Sequence, residues 1–233
     1  MTIGRGGRAR RAWAALAVAA VAAATTAVTA AGCRSAPPAP AAATPPALPA
    51  PPRATNGGEP QWGVRLYPGA EPRPEVAAAV RAYYLPSVDG AGFAVAVYET
   101  DASFDEVHDF YGPRMERGKW GWRRKSLPLA HQTQTLAFLR QRLVAERGKN
   151  GRLPSVYAPL FGDPALGDDE VGARLARLAE SRPGAKVEIV EGVRPIAGDP
   201  QGADVRVIVE RPYVDLATFR LVDRTRIQLL RLR

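Results

Sequence analysis

Residues 34–60 limit where this chain can form a folded domain. They contain nine prolines, eight alanines and one large apolar residue, Leu48. Such a composition cannot bury enough apolar surface to offset the conformational entropy that is lost on folding. We predict a disordered, extended linker, which at about 3 Å per residue spans up to roughly 80 Å. It is interpreted as a spacer that holds a domain off a membrane, or as an unselected low-complexity segment.

Residues 1–32 have the pattern of an export signal. Four arginines precede an uncharged, alanine-rich run over residues 12–32, and no acidic residue occurs before the run. A basic start, an apolar middle and small residues at the end are typical of a signal peptide. The run is also long enough to cross a bilayer, which takes roughly 20 residues. An uncleaved signal anchor is therefore the alternative. The pair Arg10-Arg11 also resembles a twin-arginine signal.

Cys33 is the only cysteine of the chain, and it follows Ala30, Ala31 and Gly32. This arrangement resembles the lipobox of bacterial lipoproteins, although Ala30 stands where leucine is usual. The resemblance implies that Cys33 is acylated, becomes the mature N-terminus and anchors the protein in a membrane. Arg34 in the next position favours the outer membrane, facing the periplasm, in a Gram-negative cell. An ordinary soluble secreted protein is the further alternative.

The expected mature chain is only mildly basic. The full chain has a net charge of +9, and removal of residues 1–32 leaves 28 basic and 23 acidic residues, a net charge of +5. This charge permits weak attraction to anionic lipid or acidic cell-wall polymers, and we do not expect nucleic acid as a partner. Without a second cysteine there is no disulfide and no thiolate metal site. We expect neither a cofactor nor a metal ion.

Residues 61–233 have a suitable length for one globular domain. Their apolar patterns and turn residues predict an α+β fold, with an antiparallel sheet of five to six strands and two main helices on one face. Segment 132–143 is ambiguous between strand and another element, and 145–167 reads as a long loop. The predicted helices cover 74–85, 101–118 and 168–182, and the predicted strands cover 92–100, 120–127, 185–193, 203–212 and 223–232.

Three local patterns make these predictions more specific. Ser103 and Glu106 have the spacing of a capping box at a helix start. Gly112-Pro113 should kink or break the same helix late. Arg206 and Glu210 alternate with three valines, which predicts a half-solvated sheet face.

Several short motifs resemble one class of small exported bacterial proteins, often lipoproteins. They are YPGA at 67–70, SFDEVHDFY at 103–111, GW at 121–122 and the ending VERPYVDLATFRLVDRTRIQLL at 209–230. The resemblance covers residues 64–127 and 203–231, and His108 departs from it because an aliphatic residue is usual there. It implies the fold and an envelope location. The class has no assigned biochemical activity, so the resemblance implies no catalytic residue.

The segment KWGWRRK at 119–125 is the candidate binding surface. It interleaves Trp120 and Trp122 with Arg123, Arg124 and Lys125. Aromatic stacking combined with positive charge suits a sugar polymer, a lipid head group or nucleic acid, and the modest net charge argues against the last of these. On a strand the two tryptophans share one face, while Arg123 and Lys125 share the other. The alternative is that the tryptophans pack under the first helix and the basic side chains are solvated.

His108 is the other polar position considered. Asp105 lies three residues earlier, on the same helical face, and an acid beside a histidine suits general-base work or metal binding. The alternative is a histidine at the boundary of the core, on an acidic first turn. No serine-hydrolase motif, glycosidase acid pair or phosphate loop is evident.

We therefore predict no catalytic residue and a non-enzymatic envelope lipoprotein. Its domain would bind or scaffold another envelope protein, a lipid or a cell-wall polymer. Two alternatives remain open. One is an envelope hydrolase whose site is assembled from distant residues, and the other is a signal-anchor protein with a periplasmic interaction domain.

Overall fold

The computed structural model describes residues 62–84, 93–115 and 120–232, apart from the side chain of Trp120. These residues belong to the second of the two units into which the chain divides, Pro52–Arg233. The predicted signal, Cys33 and the whole predicted linker lie outside the described residues. The elements follow in the order β1 (Glu71–Pro72), α1 (Pro74–Tyr84), β2 (Ala94–Thr100), α2 (Phe104–Met115), β3 (Trp120–Pro128), α3 (Leu129–Arg147), α4 (Ala158–Phe161), α5 (Asp168–Glu180), β4 (Lys186–Pro195), β5 (Asp204–Arg211), β6 (Tyr213–Asp215), β7 (Arg220–Val222) and β8 (Thr225–Leu232).

Within the described ranges, six strands form one sheet in the order β1-β2-β8-β5-β4-β3. All neighbouring strands in it are antiparallel. Strands β6 and β7 form a separate hairpin. The predicted α+β class and the antiparallel sheet of five to six strands are therefore confirmed. Strand β3 lies at one edge of the sheet, and the two-residue β1 lies at the other.

Helix α2 begins at the predicted capping box. The backbone N–H of Glu106 donates to Ser103 Oγ at 3.2 Å, and the N–H of Ser103 donates to Glu106 Oε2 at 2.7 Å. Pro113 lies inside the helix, which ends at Met115. The cap sets the start of a helix whose buried side chains recur at helical spacing. They are Phe104, Val107, Tyr111 and Met115.

Helices cover both faces of the sheet, so the expectation that two main helices share one face is not confirmed. Successive strand residues point to opposite faces. Tyr98 belongs to the core cluster that α2 joins, whereas its neighbour Val97 belongs to the cluster that α1 joins through Val76 and Val80. A third cluster forms where α3, α5 and the β6–β7 hairpin meet, and α1 contributes to it through Tyr83.

Segment 132–143, which is ambiguous in the sequence, is part of the helix α3. The apolar period is broken there because two of its four buried positions are polar. A sequence pattern based on apolar residues alone therefore does not reveal the helix. The buried positions are Leu129, Thr133, Arg140 and Leu143.

Segment 145–167 is more regular than the predicted long loop. Helix α3 continues to Arg147, and a tight turn with positive φ at Asn150 and Gly151 follows. Residues 155–161 then form a 3₁₀ turn and the short helix α4. In the described ranges, no helix has the length and apolar character that crossing a bilayer requires.

Candidate functional site

Strand β3, which carries the predicted binding segment, is an accessible edge of the sheet. In the described part of the chain it pairs with β4, with Arg123 opposite Glu191. The register shifts between Trp120 and Arg123, as it does at a β-bulge. Arg123, Arg124 and Ser126 are exposed. The site is therefore a polar strand edge with a bulge at its N-terminal end.

Trp122 lies in the core rather than on the surface. Its side chain is 7 % exposed, and its Nε1–H donates to the carbonyl oxygen of His108 at 3.3 Å. The helix that covers it is α2, through His108 and Tyr111, whose ring centroids lie 5.7 and 6.5 Å from that of Trp122. The side chain of Trp120 lies outside the described residues. A surface that interleaves tryptophans with basic residues therefore cannot include the ring of Trp122.

His108 packs between two aromatic rings. Its ring centroid is 6.0 Å from that of Phe104 and 5.7 Å from that of Trp122. Its Nδ1 lies 3.0 Å from Oδ1 of Asp109. The structure brings no three His, Cys, Asp or Glu side chains of the described ranges into a metal-binding group. The contacts of His108 are those of a packing residue at the boundary of the core.

Arg124 is held on the α2 face of the sheet. Its Nη1 donates to Asp105 at 2.6 Å and its Nε donates to Glu188 at 2.7 Å, while Ser126 Oγ donates to the second oxygen of Glu188 at 2.6 Å. Its guanidinium also lies 4.8 Å from the centre of the Phe104 ring. Burial alone would raise the pKa of Glu188, but hydrogen bonds from Ser126 and Arg124 bring it below its ordinary value. The charge of Arg124 is therefore already compensated.

Arg123 and Lys125 lie on the opposite face of β3, because successive strand residues alternate. Arg123 is exposed and Lys125 is half-buried. Neither forms an ion pair with any carboxylate in the part of the chain that the structure describes. Glu191, which lies opposite Arg123, is paired with Arg206 instead. One face of the edge strand thus carries two positive charges without an ion-pair partner among the described residues.

The backbone of β3 also has N–H and C=O groups that bond to no other described strand. The N–H of Leu129 donates to the carbonyl of Ala185 at 2.9 Å, in the same register that pairs β3 with β4. Because hydrogen-bonded pairs alternate in an antiparallel ladder, Arg123, Lys125 and Leu127 bond to β4. The N–H and C=O groups of Arg124 and Ser126 consequently point away from the sheet.

A second charged group, which the sequence analysis missed, surrounds Glu99. Glu99 is completely buried. Arg226 Nη2 lies 3.3 Å from it, Arg224 Nη1 lies 3.6 Å from it, and Arg73 hydrogen-bonds it as well. A carboxylate so deeply buried needs such partners. The sequence signal for this group is Glu99 itself, an acidic residue near the end of a strand that is apolar on both faces.

The prediction that Arg206 and Glu210 lie on a half-solvated face is wrong for Arg206. Arg206 is buried and its Nη2 lies 2.5 Å from Glu191. Glu210 is half-buried, and burial raises the pKa of its carboxyl although Arg226 opposes the shift. Tyr213 of the β6–β7 hairpin stacks on Arg226, with 3.5 Å between the guanidinium carbon and the ring centre. The hairpin is absent from the strands predicted from the sequence, and it packs beside the charged residues.

Comparison with protein-family models, with curated proteins and with solved structures gives no match for this chain. The site is therefore interpreted from its own geometry. Of the five predicted surface residues, Arg123 and Lys125 are uncompensated, Arg124 is compensated, Trp122 is buried and the ring of Trp120 is outside the described residues. The features available to a ligand are one pair of cations and one row of backbone groups.

Proposed function

We propose that this chain is a lipoprotein of the bacterial cell envelope whose folded domain binds another envelope component without catalysis. The observation that carries the proposal is the position of its single cysteine. Cys33 follows three small residues at the end of an uncharged run and precedes a proline-rich segment. A buried structural role would require flanking residues that can form part of a core, and the proline-rich segment after Cys33 has one large apolar residue, Leu48.

The linker supports a tethered arrangement. If residues 34–60 form the extended linker that their proline-rich composition predicts, they would hold the domain away from the membrane surface. Such a spacer gives the domain a volume to search while its anchor stays in the bilayer. This arrangement suits a protein that contacts a partner at a distance from its own membrane.

The described residues support binding through β3. Among the described residues, only β4 pairs with β3, and no carboxylate pairs with Arg123 or Lys125. Such an edge offers hydrogen bonds and charge to an extended or anionic partner. Arg124 and Glu188, held together beside it, give the edge a fixed shape. The proposed protein therefore has a lipid anchor at Cys33 and a recognition edge, strand β3, on its folded domain.

The test compares three full-length proteins in a bacterial host. They are the wild type, Cys33→Ala and the matched control Ser35→Ala, which changes a neighbouring small polar residue. We expect the wild type and the control to be recovered in the membrane fraction as processed forms. Cys33→Ala should remain unprocessed, because the acylated side chain is missing.

An equal distribution of all three proteins in the inner membrane, each with its N-terminus intact, would contradict the proposal. The uncharged run over 12–32 would then act as a transmembrane signal anchor. Recovery of all three in the soluble fraction would contradict both forms of anchoring.

A further inference from the structure

We propose that the free edge of β3 binds an extended acidic segment of a partner protein by strand addition. The inference rests on the proposed binding role of the domain and deepens it by naming the partner chemistry. It does not depend on acylation of Cys33. It rests on two observations. Some backbone groups of β3 point away from the sheet, and of its three consecutive cations only Arg124 is paired with described carboxylates.

The backbone of β3 has what strand addition requires. The strand spans Trp120–Pro128, whereas the opposite edge strand β1 spans Glu71–Pro72. Arg124 and Ser126 direct their N–H and C=O groups away from β4, and no backbone partner for them occurs among the described residues. An incoming peptide would pair with these groups and extend the sheet by one strand.

The side chains of β3 specify the charge of that peptide. In an added antiparallel strand, the residues opposite Arg124 and Ser126 would form hydrogen-bonded pairs. Those opposite Arg123 and Lys125 would then form non-hydrogen-bonded pairs, in which side chains come closest. Since no described carboxylate forms an ion pair with Arg123 or Lys125, the favoured peptide has acids at alternate positions.

A second copy of this chain is not the favoured occupant. Two antiparallel β3 strands would bring the cations of one copy against those of the other, and like charges on paired strands are destabilising. Charged residues on edge strands commonly prevent pairing between identical chains. The same charges that repel a second β3 would attract an acidic strand.

The first experiment measures peptide binding to the full-length protein in detergent micelles by fluorescence anisotropy. The probe is a labelled peptide of about ten residues with alternating glutamate and threonine, the length of an ordinary strand. A peptide of the same composition with its glutamates in one block is the control for charge alone. We expect the alternating peptide to bind at least about fivefold more tightly. The block also places glutamates on the other face of the strand, beside the carboxylates of Asp105 and Glu188, and like charges on paired strands are destabilising.

The second experiment uses paired variants of β3. Ser126→Pro removes an outward N–H, whereas Ser126→Ala keeps that N–H and loses only the hydroxyl bond to Glu188. We expect Ser126→Pro to weaken binding of the alternating peptide by about tenfold or more and Ser126→Ala by less than about twofold. Because proline can disturb folding, amide hydrogen exchange in the wild type gives an independent readout. Bound peptide should slow exchange at Arg124 and Ser126.

The charge is tested by the double variant Arg123→Glu/Lys125→Glu. Its control is Arg177→Glu/Arg182→Glu, which reverses two exposed arginines at the end of α5. We expect the β3 variant to lose more than about tenfold in affinity and the control to change by less than about twofold at moderate salt.

Three results would overturn the inference: equal binding of the alternating and block peptides, equal binding by Ser126→Pro and the wild type, or unchanged exchange at Arg124 and Ser126. Equal binding of both peptides would instead indicate a general polyanion surface, as a cell-wall polymer would use. If the peptide does not bind although Cys33 is acylated, the inference about β3 fails and the proposed lipid anchor is retained. If the peptide binds although Cys33 is not acylated, the inference about β3 is retained and the proposed lipid anchor is contradicted.

Discussion

Gly192 of β4 provides the space that Trp122 occupies in the core. A Cβ atom at Gly192 would lie 2.9 Å from a ring carbon of Trp122 and 3.1 Å from Met115 Cε. Inserting an atom into a well-packed core costs about 1–3 kcal/mol. We therefore expect Gly192→Ala to lower the free energy of unfolding by that amount, measured by urea denaturation.

The control for Gly192→Ala is Gly172→Ala in α5, where an added Cβ has no neighbour within 4 Å. In a helix interior alanine is favoured over glycine by about 0.8–1.0 kcal/mol, so this variant should gain stability. A Gly192→Ala protein as stable as the wild type would contradict the close packing of Trp122 against β4.

The capping box of α2 should make stability depend on pH. Hydrogen bonds from the Ser103 backbone and then its hydroxyl lower the pKa of Glu106. A lowered folded pKa contributes stability above the unfolded value, near about 4.3, and that stability is lost as pH falls through the folded pKa. We expect Glu106→Gln to lose less stability than the wild type on acidification, measured as the urea midpoint between about pH 6 and pH 3. Equal losses in the two proteins would contradict this role for Glu106.

At the scale of elements, Arg140 connects α3 to the segment before α5. Its side chain donates to the carbonyls of Phe161 at 2.7 Å and Leu166 at 2.6 Å, and its Nε lies 3.1 Å from Asp168. It is 1 % exposed. Removing one partner of a buried ion pair costs about 3–5 kcal/mol. We expect Arg140→Leu to destabilise the protein by about that amount, measured by urea denaturation.

Arg142→Leu on the same helix is the matched control. Arg142 forms an exposed pair with Glu146 at 2.6 Å. Exposed pairs contribute little to stability, so this variant should lose far less stability than Arg140→Leu. Similar losses for the two variants would contradict the assigned role of Arg140.

The comparison of α2 with α3 shows what the sequence can reveal. Helix α2 was predictable because its capping box is local and its buried face is apolar. Helix α3 was not, since Arg140 is buried by carbonyl groups that follow it by more than 20 residues. For β3, by contrast, strand alternation correctly predicts that Arg123 and Trp122 lie on opposite faces. Burial of Trp122 under a helix is the alternative that the sequence left open. No local pattern indicates that the helix is α2 or that Gly192 of a distant strand makes room for the ring.

At the scale of the whole molecule, Arg34 should influence which membrane holds the protein. Aspartate directly after the acylated cysteine commonly retains bacterial lipoproteins in the inner membrane, and Arg34 lacks that signal. In a Gram-negative host we expect Arg34→Asp to move the protein from the outer to the inner membrane fraction. Ser35→Asp introduces the same charge one residue later and serves as the control. An unchanged outer-membrane location of Arg34→Asp would contradict this sorting role.

The central claim, a lipid anchor at Cys33, is tested most directly by the intact mass of the protein extracted from membranes. We expect the mass of residues 33–233 plus acyl groups, with the ester-linked part of that addition lost after mild alkaline hydrolysis. The mass of the unmodified chain 1–233, or of 33–233 without any addition, would contradict the claim.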